Sequence, residues 1–590
     1  MRVLEERERV RNVVGQRLPR VDGWAKVSGR AQYTDDLTLP GMLFGKLVRS
    51  THAHARLVSV RLERALQVPG VVAAITGRDV PVRYSVFPVG QDETALAVDR
   101  VRYVGEPVAA LAAVDPYTAE EAARLVEVEY EPLPARMDLE EALRNPEPRI
   151  HDYGPFGNVH RLASLEFGDV EAGFAEADHV REDLFFYGGN THAPLEPHSA
   201  LAWWDPGARK LTVWTSHQGP HYLHRGLAKA LGLEEHQVRV VVPAVGGGFG
   251  GKLDIFHHEV CAAKLSMLTG RPVKITLTRE EVFYAHRGRH PELLRIRTGV
   301  KRDGRITAMH VEAYLDGGAY CSFGPATLLY AGTQQPVTYR IPHYRFQGVR
   351  VFTNKPPCGP KRGHGTPQAR CALEVHLDKL SEDLGLDPVE LRLRNLTGPN
   401  ELTVNWLEIT SNGLRACIEK VVEASGWRQR RGRLPYGRGL GFACSAYLTG
   451  AGGSIYYSDM PHSEVHLRVD RSGGVTVYTM ATEIGQGSAT AVATIVAEVL
   501  GLQPQDISLV TSDTDLTPID LGSYSSRVTL MVGNAAYEAA CRARDLLFDA
   551  VAERLQVPRS RLVARSRRIF DEANPEVGAS FAQAAQWAEA

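Results

Sequence analysis

The chain has 590 residues, enough for several domains with large cores. Hydrophobic residues make up 44% and charged residues 23%, an ordinary globular composition that excludes wholesale disorder. The 68 basic and 69 acidic side chains leave a formal net charge of −1, which gives no electrostatic reason for nucleic acid or an anionic membrane as partner.

In chain order, residues 1–23 read as an extended lead-in. From 24 to 135 short strand-like and helical runs alternate, as in a small α/β domain. VVAAIT (71–76) and PVAALAAV (107–114) read as buried strands, and TAEEAARLV (118–126) as a helix with Thr118 at its N-cap and Glu121 completing a capping box. The proline-rich stretch 131–155 reads as a linker. A longer α/β region, 150–400, contains strand-like runs at 211–216, 238–245 and 273–278. An amphipathic helix is expected over 372–385, with Leu373, Leu377, Leu380 and Leu384 on one stripe, Glu374 off it and Gly385 ending it. Asp387-Pro388-Val389-Glu390 starts another helix. The last region, 401–590, shows a strand at 475–480 and helices over 488–501 and 534–555.

Seven cysteines without a C-x-x-C pair argue against a zinc site, an iron–sulfur cluster in this chain and a secreted disulfide framework. No run of 18 apolar residues and no N-terminal apolar segment occur, so the expectation is a cytoplasmic protein without a membrane span.

Four segments have the composition of a site. Gly246-Gly247-Gly248-Phe249-Gly250-Gly251-Lys252 lies between a strand and a helix, where backbone N–H groups approach an anion closely. It is no P-loop, because Leu253 follows the lysine. It does satisfy G-x-G-x-x-G, so a nicotinamide-dinucleotide site with Glu280 as ribose acid is a rival reading. Glu483–Ser488 and Gly522–Thr529 also resemble anion loops at helix starts, with a plain turn and a capped helix as the alternatives. The loop 353–368 packs four prolines with Lys355, Lys361, Arg362 and His364, a constrained polar loop of the kind that lines sites. Cys358 there reads as a bystander thiol and His364 as no metal ligand. His192 and His198 flank Glu196, but prolines at 194 and 197 break the helix a metal site would need.

Taken in order, these pieces resemble the large subunit of the xanthine dehydrogenase and aldehyde oxidase family. The likeness runs through Arg20-Val21-Asp22-Gly23, Lys26-Val27-Ser28-Gly29, Val104-Gly105-Glu106-Pro107, Ser216-His217-Gln218, GGGFGGK (246–252), TNKPP (353–357), EIGQGS (483–488) and GSYSSRVT (522–529). It implies an α/β (α+β) fold: a hammerhead-like domain, then a molybdopterin-binding region in two halves, 150–400 and 401–590, the second incomplete. It implies molybdopterin cytosine dinucleotide with molybdenum, held by the pterin rather than by any side chain. Gln218 would lie near the metal's oxo ligand. Gly248, Phe249, Gly250, Arg362, Gly485, Gln486, Gly487, Ser525, Ser526, Arg527 and Thr529 would bind the cofactor. Lys361, Arg362, His364 and Leu253 would line the substrate pocket.

The implied chemistry is hydroxylation of an aromatic, N-heteroaromatic or aldehyde substrate with water as oxygen source. Electrons would pass to [2Fe–2S] clusters and FAD on an iron–sulfur subunit and an FAD subunit. The family's glycine-flanked catalytic glutamate has no counterpart between Arg527 and Ala590. A general base must reach its proton, so either a second molybdopterin-domain chain supplies it or the sequence is truncated; the split subunit is the expectation. Gly363 follows Arg362 where carbon monoxide dehydrogenases carry cysteine, so no molybdenum–copper centre is expected. Lys361 and His364 replace aromatic residues of purine-type members, which points to a polar or anionic substrate such as an aromatic carboxylate, a phenol or an aryl-CoA thioester. Reductive dehydroxylation of a hydroxybenzoyl-CoA, a nicotinamide-dependent dehydrogenase and an inactive scaffold subunit are the alternatives.

Overall fold

The structure, a computed structural model, describes residues 11–285, 287–450 and 462–590; the first ten residues of the predicted lead-in lie outside them. Two large sheets build the first two-thirds of the fold. The strands, in chain order, are β1 (Leu43–Arg49), β2 (Ala55–Arg61), β3 (Val71–Thr76), β4 (Arg100–Val101), β5 (Pro107–Ala113), β6 (Glu127–Pro132), β7 (Val159–Phe167), β8 (His179–Tyr187), β9 (Ser199–Asp205), β10 (Lys210–Thr215), β11 (Val238–Val241), β12 (Val273–Thr276), β13 (Glu292–Val300), β14 (Ile306–Asp316) and β15 (Tyr344–Val351).

A seven-stranded sheet has the order β11-β10-β9-β12-β1-β5-β3. The predicted small domain is therefore not closed on itself: β1 pairs in parallel with β12, Leu43 against Val273, and carries the sheet into the next region. β5 is buried along its whole length because it is an inner strand with both faces covered, and its apolar run has no polar alternation. β3 is the edge strand and half exposed, which corrects its reading as buried. A five-stranded sheet, β7-β15-β14-β13-β8, packs its inner face on the helix α6 described below.

Helix α1 (Pro116–Arg124) begins two residues before the predicted start. Asp115, in extended conformation, accepts from the Thr118 N–H, and Pro116 takes the first helical position, where no N–H is needed. The predicted linker holds a helix of its own, α2 (Leu139–Arg144), capped by Asp138. Then come α3 (Pro220–Leu231), α4 (His257–Thr269) and α5 (Gly324–Thr333). α6 (Thr366–Asp383) starts six residues before the predicted 372. Its leucine stripe is as predicted, but Glu374, expected in solvent, is buried. It bonds the Arg392 Nε at 2.7 Å and the Tyr339 hydroxyl at 2.7 Å, which joins α6 to α7 (Pro388–Asn395).

The last third packs α8 (Ser488–Leu500), the 28-residue α9 (Val528–Leu555) and α10 (Phe581–Glu589) against one another. A three-stranded sheet, β16 (His466–Val469), β17 (Val475–Thr479) and β18 (Ile507–Thr511), flanks them. A hairpin sheet of β19 (Leu562–Arg565), β20 (Arg568–Asp571) and β21 (Asn574–Ser580) follows. The described part of the lead-in belongs to this third. Val13 is buried in its core, and the Asn12, Val13 and Val14 N–H groups donate to the Glu498 carboxylate on α8. Among the described residues no helix is long and apolar enough to cross a membrane.

Candidate active site

All four predicted loops converge on one cavity of about 1020 Å³. Gln218, just before α3, ties three segments together. Its side-chain oxygen accepts from the Gly250 N–H (2.9 Å) and Lys252 N–H (3.3 Å), and its Nε2 donates to the Ser523 carbonyl (2.9 Å). The glycine run must be glycine for packing as well as for phi. A Cβ at Gly250, where φ is +97°, would sit 2.5 Å from the Pro360 carbonyl oxygen, and one at Gly248 would sit 2.5 Å from the Gln218 oxygen. Phe249 holds φ +55°, a conformation bulky residues avoid unless their surroundings impose it. Lys252 turns inward to a buried ion pair with Glu196 (2.7 Å), which also accepts from the Gly246 N–H.

The three predicted anion loops differ in one physical respect, the state of the helix start. α4 begins only at His257, and Glu259 caps it by accepting from the Phe256 N–H. Burial pushes that carboxyl up to about 8. The glycine run is therefore not at an open helix end, which corrects that reading. The start of α8 is also filled: the Glu483 carboxylate accepts from the N–H groups of Gly485, Gly487 and Ala489. α9 is different. Its N-cap residue, Arg527, makes no side-chain cap, and Val528 and Thr529 of its first turn line the cavity. Ser525 and Ser526, at φ +49° and +51°, precede it. Two successive left-handed residues before an uncapped helix form a concave set of N–H groups with the positive end of a long dipole behind it.

Arg527 is completely buried and serves the loop. It bonds Asp520 at 2.8 Å and the Gly522 carbonyl at 2.7 Å, while its Nε, also buried, has no partner among the described residues. At the other wall Arg362 donates its backbone N–H to the Phe249 carbonyl (2.9 Å). The Lys361 and Arg362 side chains make no ion pair among the described residues. Burial, then Arg289 and Arg362, draw the Lys361 pKa down. His364, expected as a polar residue of the substrate pocket, lines the cavity in its neutral form. It sits 2.6 Å from the Thr327 hydroxyl, and burial, then Arg289, hold its pKa near about 3. Its ring packs 5.3 Å from Tyr330 and 6.2 Å from Phe323, so the wall it joins is aromatic.

Of the predicted residues, Gln218, Phe249, Gly250, Leu253, Lys361, Arg362, His364, Gly485, Gln486, Ser525, Ser526, Arg527 and Thr529 line the cavity; Gly248 and Gly487 stand behind it. Sequence reasoning missed Phe323 and Tyr330, which come from an apolar helix that reads as plain core, and Lys26 and Tyr33, from the N-terminal region. Glu280, the acid of the rival dinucleotide reading, is exposed and outside the cavity. Cys358 is also outside it, and burial pushes its thiol up to about 12. No carboxylate stands among the described residues that line the cavity.

A molybdopterin cofactor fits this arrangement on three counts. The volume exceeds what a drug-sized ligand needs. Gly485 lines the cavity, and a Cβ there would meet nothing within 4 Å, so the backbone leaves room for a ligand. The orphaned Arg527 Nε and the uncapped α9 start offer donors to an anion.

Comparison with known proteins agrees. Residues 150–396 and 419–590 match the molybdopterin cofactor-binding domain, and residues 28–134 match the a/b hammerhead domain of aldehyde oxidase and xanthine dehydrogenase. The chain is 35% identical over 538 residues to the xanthine dehydrogenase molybdenum-binding subunit of Escherichia coli O157:H7, covering 88% of this chain and 70% of that one. It is 36% identical over 425 residues to the nicotinate dehydrogenase large molybdopterin subunit of Eubacterium barkeri, covering 71% of this chain and 99% of the relative. The solved structure of quinoline 2-oxidoreductase from Pseudomonas putida 86 superposes with a TM-score of 0.91 at 29% identity, over 98% of this chain and 76% of that one. The chain belongs to the xanthine dehydrogenase and aldehyde oxidase family, as a molybdopterin-binding large subunit.

Proposed function

We propose that this chain is the large subunit of a molybdenum hydroxylase. In this reading it holds molybdopterin cytosine dinucleotide in the cavity and oxidises a flat aromatic or N-heteroaromatic substrate bearing an anionic group. The observation that carries the reading is the composition of one wall: Phe323, Tyr330 and neutral His364 beside two cations, Lys361 and Arg362, with no ion-pair partner among the described residues. An aromatic face and a planar guanidinium together suit an aromatic carboxylate.

Bound in the cavity, the cofactor would supply the two-electron redox chemistry of the hydroxylation. The chain's own residues bind and orient. The start of α9 with Ser525, Ser526 and Thr529 would take phosphate oxygens. Gly485, Gln486, Phe249 and Gly250 would border the pterin. Gln218, locked between Gly250 and Ser523, would hold the two loops at a fixed spacing around the reacting centre.

A general base must lie within hydrogen-bond reach of the proton it takes. The cavity lining offers lysine, arginine and a neutral histidine but no carboxylate among the described residues. This supports a glutamate supplied from outside the described residues. The Eubacterium barkeri relative, named a large molybdopterin subunit and covered over 99% of its length, supports a divided arrangement. Iron–sulfur and FAD subunits would receive the electrons. The seven free cysteines support a reducing, cytoplasmic setting.

The test is to incubate the native complex with aromatic acids and an artificial electron acceptor in H2¹⁸O. The reading predicts a hydroxylated product carrying the label. Unlabelled product, or turnover that appears only when NAD is added, contradicts it.

A further inference from the structure

Behind the loop that carries Lys361 and Arg362 lies a third cation, Arg289, which the account so far leaves without a role. Arg289 is buried at 5% exposure. Its Nη2 donates to the Arg362 carbonyl (2.5 Å) and, more distantly, to the Lys361 carbonyl (3.4 Å), while Nη1 donates to the Gln368 side-chain oxygen (3.1 Å). The segment runs beneath the loop as a short parallel bridge, Gly288 against Cys358, with the Gly359 N–H donating to the Gly288 carbonyl (2.8 Å). One rigid guanidinium fork thus reaches two consecutive carbonyls of the loop and the first turn of α6.

Nothing neutralises this charge among the described residues. Arg289 makes no ion pair there, and its Nε is buried without a partner. Glu292, three residues on, is fully buried, and burial pushes its carboxyl well above the usual carboxylate range. Neither of its oxygens has a hydrogen-bond partner among the described residues, so it makes no direct contact with the guanidinium. Burial lowers the Arg289 pKa, yet an arginine starts high enough to keep its proton. Three cations then converge on one wall, and the buried one acts through a low-dielectric interior where its field is weakly screened.

We infer that Arg289 is a positioning residue that fixes Arg362 and makes this end of the cavity selective for a carboxylate or equivalent oxyanion on the substrate. The inference rests on the reading of the cavity as the site of an anionic aromatic substrate. An anion placed there relieves repulsion among Lys361, Arg362 and Arg289, whereas a neutral isostere leaves the repulsion in place. Selectivity then depends on charge behind the loop as well as on the side chains that touch the ligand.

The experiment compares affinity for benzoate and for neutral benzamide in the native complex, as wild type, Arg362→Met, Arg289→Met and Gln368→Glu. Arg289→Met removes both the fork and the charge. Gln368→Glu leaves the fork in place and sets a carboxylate against Nη1, so it neutralises the charge without taking away the strut. Wild type should prefer benzoate by about tenfold or more, and Arg362→Met should abolish that preference. Both Arg289→Met and Gln368→Glu should lower the benzoate-to-benzamide ratio by roughly five- to tenfold with benzamide affinity unchanged. A wild type without preference refutes the anionic-substrate reading itself. A wild type with preference, together with a Gln368→Glu ratio within twofold of it, overturns the inference about Arg289 alone, whatever Arg289→Met does.

Discussion

Lys361 and Arg362 could be singled out in the sequence because two cations beside Gly363 and four nearby prolines make an unusual loop. Their neighbours could not. Phe323 and Tyr330 belong to α5 and its cap, where an apolar run gives no sign of which side chains face a cavity. The charge of His364 was not legible either: burial, not residue type, decides that it is neutral. Replacing Arg362 by methionine should raise the KM for an aromatic acid by roughly 10- to 100-fold, the loss of one charge-assisted bidentate contact. The neutral analogue should be much less affected; an equal loss for both would contradict the assigned contact. Gly250→Ala is a different kind of test. Its Cβ would press on the Pro360 carbonyl at a φ that L residues rarely adopt. The expected outcome is a loop shift with molybdenum content falling several-fold, read by metal analysis of the purified chain; full occupancy would show that the loop has slack.

Among the elements, helix starts carry most of the argument. The three Gly- or Ser-rich loops look alike in sequence, since each combines small residues with a following helical pattern. What separates them is one carboxylate: Glu259 bonds the N-cap of α4, Glu483 fills the start of α8, and among the described residues no side chain caps α9. Capping by Asp115 and Asp387 was within reach of sequence rules because the cap adjoins its helix, and only the Thr118 assignment slipped, by three positions. The buried Glu374–Arg392 pair was beyond them, because the α6 stripe gives no warning that its polar side meets α7. Arg392→Met leaves Glu374 buried with one partner fewer, and should cost about 3–5 kcal/mol. Thermal melting checks this: a Tm within a degree of wild type would mean the pair is solvent-relieved.

On the scale of the whole molecule, the fold is less divisible than its sequence suggests. Hammerhead strand β1 joins β12 in one sheet, and the lead-in packs on α8, more than 480 residues away in the chain. Long-range pairings of this kind leave no local signature in periodicity. The interior also holds many titratable groups in their neutral forms. Burial holds His217, His221 and His376 at about 4, and also lowers His151, His258 and His290 well below the ordinary histidine value. Asp92 and Glu106, raised to about 7, and Glu259, to about 8, act in the opposite sense. Unfolded histidines take up protons near pH 6.5, so below it the unfolded state binds more of them and stability falls as pH drops. The raised acids lose their contribution as pH rises from about 4 towards their folded values, which opposes that trend. The histidines are the more numerous, so the Tm should climb between pH 5 and about 6.5 and then level. A Tm that falls over this interval would contradict the burial of neutral histidines.

The central proposal is that this chain holds a molybdenum cofactor and works with a glutamate supplied from outside the described residues. The most direct measurement is to purify the native complex gently, determine molybdenum and the nucleotide released on denaturation, and identify each co-purifying chain by mass spectrometry. The account predicts about one molybdenum per chain, cytidine monophosphate from the dinucleotide, an iron–sulfur chain, and a chain carrying a glycine-flanked glutamate. A chain that purifies alone, without molybdenum or cytosine nucleotide, would contradict it.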